Sequence, residues 1–179
     1  DVNALSIDGE NALVACASVG RQQLVGKLLE ARASPDAQCS TGLSALAAAS
    51  MSGYLPCVKQ LLAAGATVDL PCGRQKATAL MHAALSGSGA AVRAVLGLGG
   101  AGAALEARDN GGGTAFLWAC LTGHVECIAA LAAAGCDTAA TDIHGQTALI
   151  LAARSGSAAA LRAVLGLGGA GAALEARDR

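Results

Sequence analysis

The stretch GHVECIAALAAAGCDTAATDIHGQTAL, residues 123–149, decides the fold of the chain. It begins with Gly123, a residue type that ends helices because glycine tolerates positive φ. Ile128 and Leu131 follow at the spacing that places apolar side chains on one face of a second helix. Thr147 then opens another helix, since its side-chain oxygen can accept a backbone N–H of the first turn. The stretch therefore predicts a helix junction, a helix, and a loop leading to the next helix.

This arrangement occurs five times along the chain. The five helix openings read NALVACA, SALAAAS, TALMHAA, TAFLWAC and TALILAA. Their first residues, which follow one another at nearly equal intervals, are Asn11, Ser44, Thr78, Thr114 and Thr147. A glycine lies nine residues after each first residue, and long or branched apolar residues recur in the second helix of the units. A helix pair that repeats about every 33 residues predicts a solenoid.

A unit of this length that opens with T-A-L-x-x-A-A and carries GHVE at its helix junction resembles the ankyrin repeat, whose consensus opens T-P-L-H-x-A. The resemblance covers essentially the whole chain. It implies an all-α, ankyrin-type helix-turn-helix solenoid with β-turn loops and about five repeats over residues 1–179. Alanine replaces the consensus proline in every unit, and other residues replace the consensus histidine. The usual hydroxyl-to-imidazole hydrogen bond is therefore expected to be missing, with modest stability as the result.

Two features of the array indicate how it arose. Residues 79–109 and 148–178 match closely and lie two units apart, so we interpret them as a two-unit duplication. DVNA, residues 1–4, resembles the tail of a preceding unit, and ALEARDR, residues 173–179, stops inside another. We therefore expect the chain to be a segment of a longer array.

Composition narrows the class of partner. The net charge is −1 and only 14% of the residues are charged, which argues against nucleic acid and acidic membrane surfaces. No apolar run approaches the ~18 residues of a membrane span, and no signal peptide is visible at the start. Seven cysteines without paired spacing are typical of reduced thiols. We predict an intracellular, cytoplasmic protein without membrane insertion.

The stretch AVLGLGGAGAALEARD, residues 94–109, contains a glycine pattern similar to a dinucleotide-binding fingerprint. That fingerprint follows a strand, opens a helix, and needs an acidic residue about 20 residues later. Here Gly97 and Gly99 fall at the predicted end of a second helix, and Glu106 lies only four residues after Gly102. We interpret the pattern, and its second copy, as connecting loops, and expect no cofactor.

No pattern indicates catalysis or a metal site. His82 falls in a first helix, His124 at a helix junction and His144 on a loop tip, so the three histidines do not converge. The chain has no C-x-x-C or H-x-x-x-H pair of the kind that binds zinc. Cys39 and Cys72 fall in loops, where exposed and reactive thiols are possible. We predict that the protein is not an enzyme.

Surface positions remain as candidate sites, because the resemblance implies that a partner protein contacts the loop tips and the outward face of the first helices. The tip residues are Arg74, Gln75, Asn110 and His144. The late positions of the first helices add Met51, Leu85, Leu121 and Arg154, and His82 and Trp118 lie beside that row. Two interpretations of Trp118 stay open: it anchors the partner, since tryptophan is enriched at interface hot spots, or it fills a gap between helices.

The function predicted from these observations is a protein–protein interaction module without chemistry of its own, which binds a partner on the concave face of the stack. The alternative is a structural spacer, or a docking segment that packs against another part of a larger multidomain chain. Neither function calls for nucleic acid or a small-molecule substrate.

Overall fold

The computed structural model of the protein describes residues 1–98 and 105–167. Within these residues the chain forms ten α-helices and, in place of strands, isolated antiparallel bridges. The first helices of the five units are α1 (Ala12–Ser18), α3 (Ala45–Met51), α5 (Ala79–Ser86), α7 (Ala115–Thr122) and α9 (Ala148–Arg154). The second helices are α2 (Gln22–Glu30), α4 (Leu55–Ala63), α6 (Gly89–Leu98), α8 (Val125–Ala133) and α10 (Ala158–Leu167).

The ten helices form two layers. Each first helix contacts the first helix of the next unit, and each second helix contacts the second helix of the next unit. The two helices of one unit also pack against each other and so join the layers. The predicted all-α solenoid of about five helix pairs is confirmed.

Local chemistry sets both ends of every first helix. The side-chain oxygen of the residue before each first helix accepts a backbone N–H of the first turn, at 2.9 to 3.4 Å. A glycine with φ between 71° and 78° then ends the turn after each first helix. These glycines are Gly20, Gly53, Gly87, Gly123 and Gly156. Each is followed closely by the second helix, so short polar signals define the helix pair.

Small side chains fill the contact between neighbouring first helices. The first residue of α3, α5, α7 and α9 is an alanine that is almost completely buried, and so is the fifth residue of each helix. Large side chains such as Phe116, Leu61 and Ile128 occupy the space between the two layers, where they are also fully buried. Because alanine adds little to the separation of two helices, the units stack closely and share one continuous apolar core.

Before each first helix the chain forms a tight turn that is closed by a backbone hydrogen bond. We call these turns the tips of the five units; they are residues 6–10, 39–43, 72–77, 109–113 and 142–146. One N–H from each tip after the first donates to a carbonyl oxygen of the preceding tip, at 2.8 to 3.0 Å. The donors are Ser40, Gly73, Asn110 and Ile143, and the acceptors are Gly9, Gly42, Gln75 and Gly111. This ladder holds all five tips in one row beside the first helices.

The third tip is one residue longer than the other tips. There the N–H of Cys72 pairs with the carbonyl oxygen of Ala77, one residue further along the chain than in the equivalent pairs of the other tips. The extra residue lies near Lys76, whose φ is 55°. It explains why the interval from Ser44 to Thr78 is slightly longer than the interval from Asn11 to Ser44.

The glycine-rich stretch begins where a second helix ends, as expected. Gly97 lies in the last turn of α6, which ends at Leu98. Gly99 and Gly102 lie outside the described residues.

Helix length bears on the membrane question. None of the helices in residues 1–98 and 105–167 has both the length and the apolar character that a membrane-spanning helix needs.

Replacing Ser50 by alanine is expected to raise the free energy of unfolding by about 1–2 kcal/mol, because the fully buried hydroxyl of Ser50 has no hydrogen-bond partner. The equivalent residue of α5 is Ala84, which is equally buried. The measurement is urea denaturation followed by circular dichroism. Ala84→Ser is the matched control and should lower the free energy of unfolding by a similar amount. A loss of stability in Ser50→Ala would show that the hydroxyl is satisfied.

Candidate binding groove

An open groove of about 440 Å³ lies between the loop tips of the third to fifth units and helices α7 and α9. Its lining includes the side chains of Gln75, Trp118, Leu121, His144, Gln146 and Arg154. Five of the ten candidate site residues therefore meet in one place. The groove exists because the ladder of tips stands beside the first helices and leaves a concave space between them.

The other five candidate residues lie outside the groove lining. Met51 is exposed at the end of α3, and Leu85 is half-buried on α5. Arg74 is exposed at the third tip, where its backbone carbonyl accepts the side-chain N–H of Asn110 at 2.8 Å. His82 packs against Trp118 with the two rings edge to face and their centroids 6.2 Å apart. These residues border the groove region or continue the row of first helices toward the second unit.

Asp109 organises the wall of the groove, although the sequence patterns did not single it out. Its Oδ1 accepts the backbone N–H groups of Gly111 and Gly113, both at 2.8 Å, which closes the fourth tip. Its Oδ2 accepts the indole N–H of Trp118 at 2.9 Å. A Cβ added at Gly113 would lie 2.8 Å from the indole nitrogen, so only glycine lets the ring approach the tip. The indole is therefore held in place by the tip itself.

The fifth tip repeats this arrangement with a different outcome. Asp142 Oδ1 accepts the backbone N–H groups of His144 and Gln146, both at 2.9 Å. The guanidinium of Arg154 donates to the side-chain oxygen of Gln146 at 2.9 Å. Gln146 thus orients the guanidinium of Arg154, which remains exposed to solvent. A D-x-x-G pattern at residues 109–112 and 142–145 is the sequence signal that would have identified both aspartates.

The floor of the groove is apolar. Leu117 and Leu151 are buried beneath it, while Leu121 is exposed and Trp118 is half-buried. The groove thus presents an indole and a leucine side chain, with the guanidinium of Arg154 at its edge and the carboxylates of Asp109 and Asp142, which accept hydrogen bonds from their own tips, in its lining. That combination suits an amphipathic ligand better than a small polar substrate.

Burial lowers the pKa of His82 below its ordinary value of 6.5. Both ring nitrogens are buried and have no hydrogen-bond partner, so nothing compensates for the loss of water when the ring is charged. His82 therefore favours the neutral form, in which the ring packs against Trp118.

The cysteines differ in accessibility, and one expectation is wrong. Cys72 is buried, because its thiol turns inward and donates to the hydroxyl oxygen of Ser44 and the carbonyl oxygen of Leu70. Cys39, at the equivalent place in the second tip, is half-buried. Burial opposes ionisation there, but hydrogen bonds with Thr41 and Leu43 more than offset it and lower the pKa of the Cys39 thiol.

The buried thiols of the core have raised pKa values. Burial raises the pKa of Cys120 and of Cys136 to about 12, with a smaller contribution from nearby ionisable groups. Burial likewise raises the pKa of Cys127 to about 11. Such thiols stay protonated at neutral pH and pack as small apolar side chains. Across residues 1–98 and 105–167, no cluster of three or more histidine, cysteine or acidic side chains has the arrangement of a metal site.

Glu106, the acidic residue after the glycine-rich stretch, has a structural contact of its own. Its Oε1 accepts the backbone N–H of Asp137 at 2.8 Å and so links two successive units. Asn3 makes the equivalent contact with Ser34. Glu106 therefore has a structural role between two units, which differs from the ribose contact that the acidic residue of a dinucleotide-binding fingerprint makes.

The fold is a helix-turn-helix repeat solenoid, because its helix pairs stack and its tips join in a row beside a groove. Proteins of this class bind ligands along their concave surface. A family model described as ankyrin repeats, in three copies, matches residues 13–109 and 80–178. The chain belongs to the ankyrin repeat family. A comparison with curated proteins finds no match. Ankyrin repeats generally mediate protein–protein interactions, and proteins built from them are typically non-enzymatic.

Asp109→Asn is expected to lower the free energy of unfolding by about 1–2 kcal/mol more than Asp142→Asn does. Both substitutions preserve an oxygen that can accept the backbone N–H groups of the tip, but only Asp109 also accepts the indole N–H. Urea denaturation followed by the emission of Trp118, the single tryptophan, measures the difference. Equal losses in the two variants would mean that the indole hydrogen bond contributes no stability.

His82→Leu is expected to remove part of the loss of stability at acid pH. Because the pKa of His82 is lowered in the folded protein, its contribution is fully present above pH 6.5 and is lost as the pH falls toward the folded-state pKa. Within that window the stability of the parent relative to the variant should decline by up to about 1.4 kcal/mol per pH unit. Urea midpoints from pH 4.5 to 8 provide the test. Leu151 occupies the same position in α9, so leucine suits the site. Parallel pH profiles would contradict the assignment.

Proposed function

We propose that this protein is a non-catalytic interaction module that binds a partner protein in the groove between its tips and helices α7 and α9. The observation that carries the proposal is the apolar pair in the groove, half-buried Trp118 and exposed Leu121, beside the exposed guanidinium of Arg154. Tryptophan and arginine are among the residue types most enriched at the hot spots of protein interfaces.

The rigidity of the groove supports the same function. Trp118 is fixed by its hydrogen bond to Asp109, and the tip that carries Asp109 is tied to the neighbouring tips by backbone hydrogen bonds. A side chain that is ordered before binding loses little conformational entropy when the partner arrives. Trp118 can therefore serve as an anchor even though it also packs against His82.

The predicted partner chemistry follows from the groove. An apolar side chain of the partner would pack on Trp118 and Leu121, and a carboxylate close to it in the partner chain would reach Arg154. A segment with an apolar residue near an acidic one fits this description. His144 and Gln75 stand at the rim and would contact the partner's polar groups.

Site-specific photo-crosslinking in cells tests the groove. A photoreactive amino acid placed at Leu121 is expected to give discrete adducts with a partner protein, because Leu121 is exposed inside the groove. The same amino acid placed at Val125, an exposed residue at the start of α8 that does not line the groove, is the matched control. Adducts are identified by mass spectrometry.

Charge reversal at the groove edge completes the experiment. Arg154→Glu should reduce the adduct at position 121 at least fivefold while circular dichroism remains unchanged. Equal adducts at positions 121 and 125, or none at either, would contradict the groove and favour the alternative of a structural spacer or intramolecular docking segment.

A further inference from the structure

The fourth tip contains a chemically labile pair of residues, Asn110 followed by Gly111. Asparagine is thermolabile, since the backbone nitrogen of the next residue can attack its side-chain amide carbon. Glycine hinders that attack least, because it has no Cβ. The other asparagines of the chain, Asn3 and Asn11, each precede an alanine. Both Asn110 and Gly111 are exposed, so water reaches the pair.

The peptide bond between these two residues lies within the ladder of tips. On one side of it the N–H of Asn110 donates to the carbonyl oxygen of Gln75 in the third tip at 2.9 Å. On the other side the carbonyl oxygen of Gly111 accepts the N–H of Ile143 in the fifth tip at 3.0 Å. Gly111 also lines the groove. A covalent change between Asn110 and Gly111 therefore affects three tips and the groove together.

Hydrogen bonds hold both of the groups that would react. The side-chain N–H of Asn110 donates to the backbone carbonyl oxygen of Arg74 at 2.8 Å. The N–H of Gly111 donates to Oδ1 of Asp109, also at 2.8 Å. Both hydrogen bonds must break before the Gly111 nitrogen can join the side chain of Asn110. The folded tip is therefore expected to slow the reaction without preventing it, because both bonds lie at the exposed surface, where local opening costs little free energy.

We propose that Asn110 is a site of spontaneous deamidation and that the product weakens the links between the fourth tip and its neighbours. The backbone nitrogen of Gly111 attacks Cγ of Asn110 and forms an N–Cγ bond, while the Cγ–Nδ2 bond breaks. Nδ2 leaves as ammonia with the proton that the Gly111 nitrogen gives up, and a succinimide ring remains. Water then opens the ring at either of its carbonyl carbons. One opening gives aspartate, and the other gives isoaspartate, in which the main chain runs through Cβ and Cγ.

Each product loses contacts that the tip uses. In both, a carboxylate takes the place of the side-chain amide, and it cannot donate a hydrogen bond to the carbonyl oxygen of Arg74. Isoaspartate also adds a methylene group to the main chain, which changes the spacing between the two ladder contacts of the tip. Asp109, which holds Trp118 through Oδ2, then loses the Gly111 N–H that fixes its Oδ1. Deamidation is therefore expected to loosen the wall of the groove that holds Trp118.

Peptide mapping by mass spectrometry tests the site. The folded protein is incubated at body temperature and mildly alkaline pH, which favours loss of the Gly111 N–H proton, and is then digested with a protease. Deamidation should accumulate at Asn110 at least fivefold faster than at Asn3, the internal control in the same sample.

Gly111→Ala is the matched variant and should slow the reaction at Asn110 at least fivefold, because a Cβ hinders the attack. The φ of Gly111 lies outside the left-handed region, so alanine can adopt it. The added Cβ would lie 3.3 Å from Oδ1 of Asp109, a contact that a small shift of the carboxylate relieves. Circular dichroism checks that the variant is folded, and if it is not, the comparison with Asn3 in the parent chain decides.

Incubation in urea and separation of the product test the role of the tip. The reaction at Asn110 should be faster in the unfolded chain, since neither hydrogen bond then restrains the reacting groups. The modified fraction of the folded protein carries an added negative charge and is separated by anion exchange. Its urea midpoint should be lower than that of the unmodified fraction, and its Trp118 emission in native buffer should differ.

The proposal is wrong if Asn110 stays intact in the folded protein while it reacts in urea, or if it reacts no faster than Asn3. Equal rates in urea and in native buffer would show that the two hydrogen bonds do not restrain the reaction. A modified fraction with an unchanged urea midpoint and unchanged Trp118 emission would overturn the link between Asn110 and the groove wall. None of these outcomes depends on a partner in the groove, so they leave the interaction-module function to its own test.

Discussion

The close contact between successive first helices is the constraint on which the rest of the structure depends. Alanines at the first and fifth positions of α3, α5, α7 and α9 let the helices approach, and the large side chains behind them fill the space between the layers. No unit buries its apolar surface alone, because its helices pack against those of a neighbouring unit. Stability is therefore shared along the stack.

The groove is a consequence of this stacking. Once the first helices are in register, their preceding loops are also in register, and the tips can join through one backbone hydrogen bond per pair. The row of tips then stands at a fixed distance from the helices. Variation at the tips, such as Asp109 holding Trp118 or Gln146 orienting Arg154, changes the surface without changing the frame. Interaction proteins built from repeats gain specificity in this way.

Much of this organisation could be predicted from the sequence because it is local. The cap residues from Asn11 to Thr147 and the closing glycines act within a few residues of their own position, so their spacing reveals the helices directly. The burial of Cys72 and the role of Asp109 escaped prediction. Each depends on a contact outside its own tip: a thiol that reaches Ser44, the residue before α3, and a carboxylate that accepts the indole N–H of Trp118 in α7. The D-x-x-G pattern marks the aspartate of a tip, but a pattern of residue types contains no record of such contacts.

The sequence by itself determined the repeating unit and the five helix pairs of residues 1–98 and 105–167, because these follow from capping, helical periodicity and register. Only the tertiary structure decided which candidate residues share a groove. It brought Gln75, Trp118, Leu121, His144 and Arg154 together and left Met51 and Leu85 outside the lining. The physical reason is that the row of tips and the row of helices meet only after the units have stacked, so the distance between two surface residues is set by packing between units.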